Sequence, residues 1–220
     1  MDKLSCLCLT MSSRTEFLTH AVECFNRQTW ENKELVIVAD ADCDLELMRR
    51  LGPDAVIVMC EGKPVIGTKR NIGCEHSTGS YIAVWDDDDH SAPTRIAFQH
   101  EVLQQTKKSV CSFMQIPFVN EKGEWYLSLP HGIGPNAKVG IGSSLFFSRD
   151  WWESHKFLDV MCGEDGDFAR RAYLEDQLKP ILHRDNFLMY GTNHSGNTSD
   201  RTFPGPSWFH LKDFVWNDAA

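Results

Sequence analysis

The sequence contains no run of about 20 consecutive apolar residues, the length that a helix needs to cross a bilayer. The apolar stretch near the N-terminus superficially resembles a signal peptide, but it is short, and Arg14 and Glu16 follow at once. We therefore interpret this stretch as a buried strand. The expectation is a cytoplasmic protein with no transmembrane segment.

The chain also lacks an excess of basic residues. It has 22 Lys and Arg residues against 31 Asp and Glu residues, and a formal net charge of -9. Nucleic-acid backbones attract basic surfaces, so we expect no nucleic-acid partner. An acidic cluster can instead hold a cation, which can in turn hold phosphates.

Cysteines at metal-binding or redox spacing are absent as well. The eight cysteines are scattered singly, and no CxxC pair occurs. The sequence therefore predicts reduced thiols that act as small apolar side chains, and neither a zinc cluster nor a redox motif.

The chain does contain enough apolar residues for one sizeable core, at 42% of 220 residues. Its first half alternates strand and helix patterns without repeats or a linker. Strands are predicted at 4–9, 34–39, 55–59 and 80–85, and helices at 15–28, 45–51, 68–77 and 93–105. Continuous apolar strands separated by helices predict a parallel sheet that is covered on both faces.

The second half has a different pattern. Strands are predicted at 110–117, 139–148, 180–183 and 186–190, with a hairpin turn at 121–124 and a helix at 164–174. From residue 191 the tail is rich in Gly, Asn, Ser, Thr and Pro, which is typical of a loop or arm. Its aromatic residues indicate that part of it packs down: Trp208, Phe209, Phe214 and Trp216.

Polar residues follow three of the predicted strands, at 10–14, 40–44 and 86–89. Ligands of parallel sheets bind beyond the carboxyl ends of the strands, so these segments should line one crevice. The last segment is four consecutive aspartates, which repel one another. They could be a solvated charge run. Their delivery by a buried strand favours a divalent cation, and hard oxygen ligands suit magnesium or manganese.

Five segments, in this order, resemble family 2 glycosyltransferases. They are LSCLCLTMSSRTEFLTHAVECFNRQTW, ELVIVADAD, GTKRNIGCEHSTGSYIAVWDDDD, GEDGDFARRA and HSGNTS. The resemblance implies an α/β fold of the GT-A nucleotide-diphospho-sugar transferase type. Its central, mostly parallel, twisted sheet is flanked by helices, and a smaller mixed sheet lies in the second half. It also implies one catalytic domain over 1–199, with a nucleotide-binding half at 1–108, an acceptor-binding half at 109–199 and a C-terminal arm at 200–220.

The function implied is metal-dependent transfer of a sugar from a nucleotide-diphosphate sugar, expected to be a UDP-sugar, to a glycan or other hydroxyl acceptor. The anomeric configuration would be inverted, and the cofactor would be Mn2+ or Mg2+. Three alternatives stay open. A non-catalytic nucleotide-sugar-binding module would not need Glu164 and Asp165. A sugar nucleotidyltransferase would need a glycine-rich, lysine-containing loop after the first strand, where this chain has SSRTEF. A retaining transferase would differ in the stereochemistry of its product.

The resemblance also implies roles near the nucleotide. Asp40 would bond to the base with help from the loop at 10–14, although a turn-forming aspartate is an equal alternative. The Lys69–Asn71 step resembles one that lies near the donor in the family, although an exposed basic turn would look the same. The implied nucleotide contacts are Thr10, Ser12, Arg14, Asp40, Lys69, Arg70, Asn71, Asp86 and Asp87.

Metal and catalytic roles follow from the same resemblance. Asp88 would be the main metal ligand, and Asp86 would touch the ribose or the metal. His194 would be a third metal or diphosphate ligand, unless it is a surface histidine. Asp165, beside Glu164, would be the general base that accepts the proton of the acceptor hydroxyl. An acidic residue that caps a helix N-terminus is the alternative for this pair. The small residues of the GIGSS stretch at 140–144 would shape the acceptor side.

Overall fold

The computed structural model describes residues 1–128, 139–183, 186–197 and 208–218. Its strands are β1 (Leu4–Thr10), β2 (Lys33–Asp40), β3 (Val56–Cys60), β4 (Tyr81–Val84), β5 (Asp89–Ser91), β6 (Val110–Phe113), β7 (Pro117–Asn120), β8 (Trp125–Ser128), β9 (Phe146–Ser148), β10 (Leu178–Ile181), β11 (Met189–Asn193) and β12 (Trp208–His210). Its helices are α1 (Thr15–Asn26), α2 (Leu45–Leu51), α3 (Ile66–His76), α4 (Arg95–Thr106), α5 (Arg149–Ser154) and α6 (Glu164–Leu174).

A seven-stranded sheet forms the centre of the molecule, in the order β10-β6-β9-β4-β1-β2-β3. Only β9 runs antiparallel to its neighbours, so the predicted mostly parallel sheet is confirmed. The four predicted strands of the first half agree with β1 to β4 to within one residue at each end. These strands are almost continuously apolar, which makes their limits easy to read from the sequence.

Helices cover both faces of this sheet because successive side chains of a buried strand point to opposite sides. On β1, Cys6 and Cys8 face the core under α1, α2 and α4, while Leu7 faces the core under α3, α5 and α6. All three side chains are fully buried. The sheet therefore has a hydrophobic core on each side.

A second, smaller sheet of five strands has the order β12-β8-β7-β11-β5 and is mixed, as predicted. It receives β5 directly after β4 and its aspartates, so the two sheets adjoin where the acidic run lies. Trp208 and Trp216 pack against the core, as their aromatic character predicted. The boundary at residue 199 lies outside the described residues, and the division into domain and arm stays a prediction.

The strand predicted at 139–148 is wrong over most of its length. Only β9 is extended, and a short 3-10 turn at Gly142–Ser144 precedes it. The Ser144 hydroxyl donates to the Ile141 carbonyl at 2.6 Å and accepts from the Phe113 N–H at 2.8 Å. Such side-chain bonds to the backbone offer an alternative to a strand ladder. Gly140, at a φ of 96°, also leaves the extended region.

Other strand limits of the second half are also corrected. The strand predicted at 110–117 divides into β6 and β7, which belong to different sheets. β10 begins two residues before the predicted strand at 180–183 and contains Pro180. It lies at the edge of its sheet, where the missing N–H of a proline breaks no ladder. β11 extends past the predicted strand at 186–190 to Asn193.

The helices are short, with 12 residues in each of the longest, α1 and α4. An α-helix rises about 1.5 Å per residue, so a helix of this length spans well under the thickness of a bilayer core. Within the described part of the chain, no helix has both the length and the apolar character that a membrane crossing requires.

One glycine in the first turn of α3 holds the segment that leads to α6. A Cβ at Gly67 would overlap the Leu158 carbonyl, and the Gly67 N–H donates to the Val160 carbonyl at 3.1 Å. We expect Gly67→Ala to lower the free energy of unfolding by about 1–3 kcal/mol through overpacking, measured by urea denaturation.

The matched control is Gly166→Ala in the first turn of α6, where an added Cβ would meet no atom within 4 Å. Alanine has the higher helix propensity, so this change should raise the stability by up to about 1 kcal/mol. Equal effects of the two substitutions would contradict the close approach at Gly67.

Candidate active site

The carboxyl ends of three parallel strands lie side by side at one edge of the large sheet. The register pairs Thr10 of β1 with Ala39 of β2, and the Trp85 N–H donates to the Leu7 carbonyl at 2.9 Å. The chain then passes through Asp86, Asp87 and Asp88 before β5 begins in the second sheet. The segments predicted to line one crevice therefore lie together at this edge of the sheet, beside the acidic run.

Arg14 links the first loop to these aspartates. It ends the 3-10 turn Ser12–Arg14 that follows β1. Its guanidinium donates to Asp87 Oδ1 at 2.6 Å and to Asp88 Oδ2 at 2.9 Å. A third bond, at 3.0 Å, reaches the Gly196 carbonyl in the C-terminal loop.

Arg70, on α3, joins the aspartates to the second acidic centre. Its Nε donates to Glu164 Oε1 at 3.0 Å, and its Nη1 lies 3.5 Å from Asp86 Oδ1. Only 4% of Arg70 and 3% of Glu164 is exposed, so this ion pair is shielded from water. Burial acts to lower the pKa of Arg70, but the surrounding carboxylates raise it, and the guanidinium stays charged.

Lys69, one residue earlier, points to the ends of β1 and β2. Its Nζ lies 2.5 Å from Asp40 Oδ1 and donates to the Thr10 carbonyl at 3.3 Å. Both charged side chains are buried. Three of the predicted nucleotide contacts therefore lie together at the base of the crevice.

Asp88 is the meeting point of the aspartate run and the C-terminal loop. Its Oδ2 lies 3.2 Å from His194 Nε2 and accepts a bond from Asn197 Nδ2 at 3.0 Å. The His194 ring stacks on Phe17 of α1, with 4.5 Å between the ring centroids. His194 is thus held against Asp88 rather than lying free on the surface, and its role as a ligand stays a prediction.

The two acidic residues that begin α6 have different surroundings. Gly163 is the N-cap and makes no side-chain cap bond, while Glu164 is turned inward to Arg70. Asp165 is partly exposed and accepts a bond from the Gly166 N–H at 2.6 Å. A Cβ at Gly142 would overlap the Asp165 carboxylate, so the glycine leaves room for this side chain.

Two of the predicted nucleotide contacts, Asn71 and Ser12, bond to other parts of the chain. The Asn71 amide accepts bonds from the Phe157 N–H and Trp152 Nε1–H and donates to the Phe157 carbonyl, so it braces the segment before α6. Ser12 is exposed and bonds to Asp42. Asp89 lies within β5, paired opposite Gly191, so Asp86, Asp87 and Asp88 are the aspartates of the run that lie outside a strand.

Sequence reasoning missed Arg95, at the start of α4, which is 1% exposed. One of its terminal nitrogens, Nη2, donates to the Val84 carbonyl and the Ser143 carbonyl, each at 2.9 Å. It therefore fixes the end of β4 relative to the turn beside Asp165. No local sequence pattern identifies such an arginine.

Sequence reasoning also missed the bond from Asn197 to Asp88. The sequence did contain a signal for it, since Asn197 belongs to the HSGNTS segment that carries the resemblance.

Carboxylates outnumber cations in this crevice. Burial, together with repulsion from Asp88, raises the pKa of Asp87 to about 7, and Arg14 only partly offsets these effects. Burial and neighbouring carboxylates also raise the pKa of Asp86, and burial raises that of Glu164. The site is therefore short of positive charge.

This set of donors fits a divalent cation such as Mn2+ or Mg2+. Carboxylate oxygens are the ligands that these ions prefer, and an imidazole nitrogen is acceptable to manganese. Asp88 and His194 already lie close enough to share an ion, and Asp86 stands two residues before Asp88 on the same loop. An added cation would also relieve the charge repulsion among the aspartates.

The chain belongs to glycosyl transferase family 2, whose sequence profile matches residues 7–159. No curated protein sequence matches the chain. Among solved structures, S. aureus TarS 1–349 in complex with UDP-GlcNAc is 17% identical, with a TM-score of 0.70, and the match covers 89% of this chain and 60% of TarS 1–349.

A second similar structure is the mannosyltransferase PcManGT from Pyrobaculum calidifontis in complex with GDP-Man and Mn2+. It is 14% identical, with a TM-score of 0.65, and the match covers 87% of this chain and 56% of PcManGT. The predicted GT-A fold is thereby confirmed. The chain spans only part of each similar protein, down to 37% of the longer TarS structure.

The raised pKa of Asp87 predicts how stability depends on pH. With a chelator present, so that no metal is bound, Asp87 of the unfolded chain ionises near the ordinary aspartate pKa of about 3.9. In the folded chain Asp87 keeps its proton up to about pH 7. The folded state then binds more protons, so the free energy of unfolding falls as the pH rises between these values. We expect Asp87→Asn to reduce this fall by on the order of 1–4 kcal/mol.

Urea denaturation at several pH values measures the effect. Asp54→Asn is the control, because Asp54 is an exposed aspartate just before β3, at the opposite edge of the sheet from the crevice. It should leave the slope unchanged. An Asp87→Asn protein with the slope of the unsubstituted chain would contradict the assignment.

Proposed function

We propose that the chain is a metal-dependent glycosyltransferase that moves a sugar from a nucleotide-diphosphate sugar to an acceptor hydroxyl with inversion. Family membership supports the reaction class. The observation that carries the proposal is the partly unneutralised carboxylate cluster at residues 86–88, in which Asp87 and Asp88 are buried and His194 lies beside Asp88. A UDP-sugar is the expected donor, since a similar protein binds UDP-GlcNAc, although another binds GDP-Man.

The nucleotide would lie across the carboxyl ends of β1 and β2. Asp40 would accept a hydrogen bond from the base and Thr10 would flank it, with Lys69 holding Asp40 in place. Arg14 and Arg70 are the cations nearest the aspartates and would face the diphosphate. Ser12 stays a predicted contact at the exposed end of the first loop, and we leave Asn71 out of the proposal.

Asp88, Asp86 and His194 would hold the metal ion, with Asp87 held behind them by Arg14. When bound, the ion would supply positive charge for the diphosphate as it leaves. For this, Arg14 would give up its bond to Asp88 and keep its shorter bond to Asp87. The protein's own contribution is to hold these ligands at the end of a rigid strand.

Asp165 would act as the general base. Its carboxylate is partly exposed beside Gly142, so an acceptor hydroxyl can reach it, whereas Glu164 is buried against Arg70. Asp165 would take the hydroxyl proton as the oxygen attacks the anomeric carbon opposite the leaving diphosphate. One such displacement inverts the configuration. Glu164 would be a positioning residue that holds Arg70 between the two acidic centres.

The test is release of nucleoside diphosphate from a panel of UDP- and GDP-sugars with Mn2+ and with chelator. We expect activity only with metal, and a loss of about 10²–10⁴-fold in Asp165→Asn, the usual contribution of a general base. Asp165→Asn should still gain thermal stability from nucleotide and Mn2+, because the donor site is intact.

Asp167→Asn is the matched control. Asp167 lies in the same first turn of α6, but it pairs with Arg171 at 2.7 Å, away from the crevice. Its activity should equal that of the unsubstituted chain. Binding of nucleotide without turnover of any donor would instead identify a non-catalytic module, and a product of retained configuration would contradict a single displacement.

A further inference from the structure

Two histidines and a cysteine meet where α1 packs against β5. His20 and Cys24 are one helical turn apart on α1, and His90 is the middle residue of β5. Cys24 is fully buried, His90 is 5% exposed and His20 is partly exposed. Neither the donor site nor the proposed reaction uses these side chains.

Their separations match those of ligands around one metal ion. Cys24 Sγ lies 3.6 Å from His20 Nε2 and 3.7 Å from His90 Nδ1, and the two nitrogens are 2.9 Å apart. Tetrahedral zinc, with bonds of about 2.0–2.1 Å to nitrogen and about 2.3 Å to sulfur, separates nitrogen and sulfur by roughly 3.6 Å and two nitrogens by roughly 3.3 Å. Only the nitrogens would need to move, by about 0.4 Å.

The C-terminal segment supplies the outer support that such a site needs. Asp218 Oδ1 lies 2.6 Å from His90 Nε2, which assigns the ring proton to Nε2 and leaves the Nδ1 lone pair directed at the cluster. Metal-bound histidines commonly donate their second N–H to a carboxylate in this way. Arg27 donates to Asp218 Oδ2 at 2.6 Å and to Cys24 Sγ at 3.5 Å.

The surroundings of the cluster favour a metal with sulfur and nitrogen ligands. His90 stacks on Tyr190 at 4.6 Å between centroids and meets Trp216 edge-on, which excludes water from that side. Sulfur with nitrogen suits zinc better than magnesium or calcium.

We propose that His20, Cys24 and His90 bind one zinc ion, with a fourth position open to water. The ion would join α1 to β5 and, through His90 and Asp218, to the C-terminal segment. It would therefore hold together three parts of the chain that are distant in sequence. This site is separate from the donor site, whose ligands are oxygens of Asp86 and Asp88 with His194, and it stands whether or not the proposed function holds.

The test is titration of the chelator-treated full chain with Co2+, which reports a cysteine ligand by a thiolate-to-cobalt charge-transfer band. We expect the band to report one Co2+ per chain, a 1:1 complex at this site that is distinct from any ion in the donor site, and Zn2+ to displace it. Cys24→Ser should abolish the band. Asp218→Asn should weaken binding by roughly 10–100-fold, the usual effect of losing an outer partner.

Two controls separate this site from other thiols and from the donor site. Cys162 is the exposed cysteine, and Cys162→Ser should leave the band unchanged, as should Asp88→Asn in the donor site. Circular dichroism of each variant without metal checks its folding. If Cys24→Ser does not fold, His20→Gln, at the partly exposed ligand, must lose the 1:1 complex.

The proposal is overturned if the chain gives no thiolate band, if the band survives Cys24→Ser or His20→Gln, or if Cys162→Ser removes it. The sequence prediction that no cysteine belongs to a zinc cluster would then stand. That prediction rests on the absence of CxxC pairs. It does not consider the HxxxC spacing of His20 and Cys24, which places two ligands on one face of α1.

Discussion

Burial of like-charged carboxylates at the end of β4 is the constraint on which the rest of the site depends. Asp87 is fully buried and Asp88 nearly so, and burial together with repulsion from Asp88 raises the pKa of Asp87. Arg14 and Arg70 offset part of this cost. The remainder is the physical reason for which we propose a cation here.

The fold supplies the framework that keeps these groups together. Parallel pairing of β4 with β1 brings the aspartates next to the loop that carries Arg14, and α3 presents Lys69 and Arg70 to the same edge. Arg95 ties the end of β4 to the turn at Gly142–Ser144, beside the carboxylate of Asp165. The strand that leads to the aspartates and the turn beside Asp165 are thus linked through one buried guanidinium.

The sequence was sufficient to predict the first half of the fold, because strands such as β2 are continuously apolar and are followed by polar residues that mark where they end. It was less informative where side chains bond to the backbone. The turn at Gly142–Ser144 reads as a strand because Val139, Ile141 and Leu145 alternate with small residues. Contacts that join distant segments, such as Arg70 with Glu164 or His90 with Asp218, depend on the sheet order, which local patterns do not encode.

The central claim is that the aspartates after β4 bind a cation and, through it, the diphosphate of the donor. Diffraction from crystals grown with UDP and Mn2+ tests it most directly, because the anomalous signal of manganese locates the ion independently of the protein. The account predicts one such peak between Asp88 and the diphosphate, with His194 as a further ligand. A nucleotide bound at this edge with no manganese peak, and with Asp88 still paired to Arg14, would contradict it.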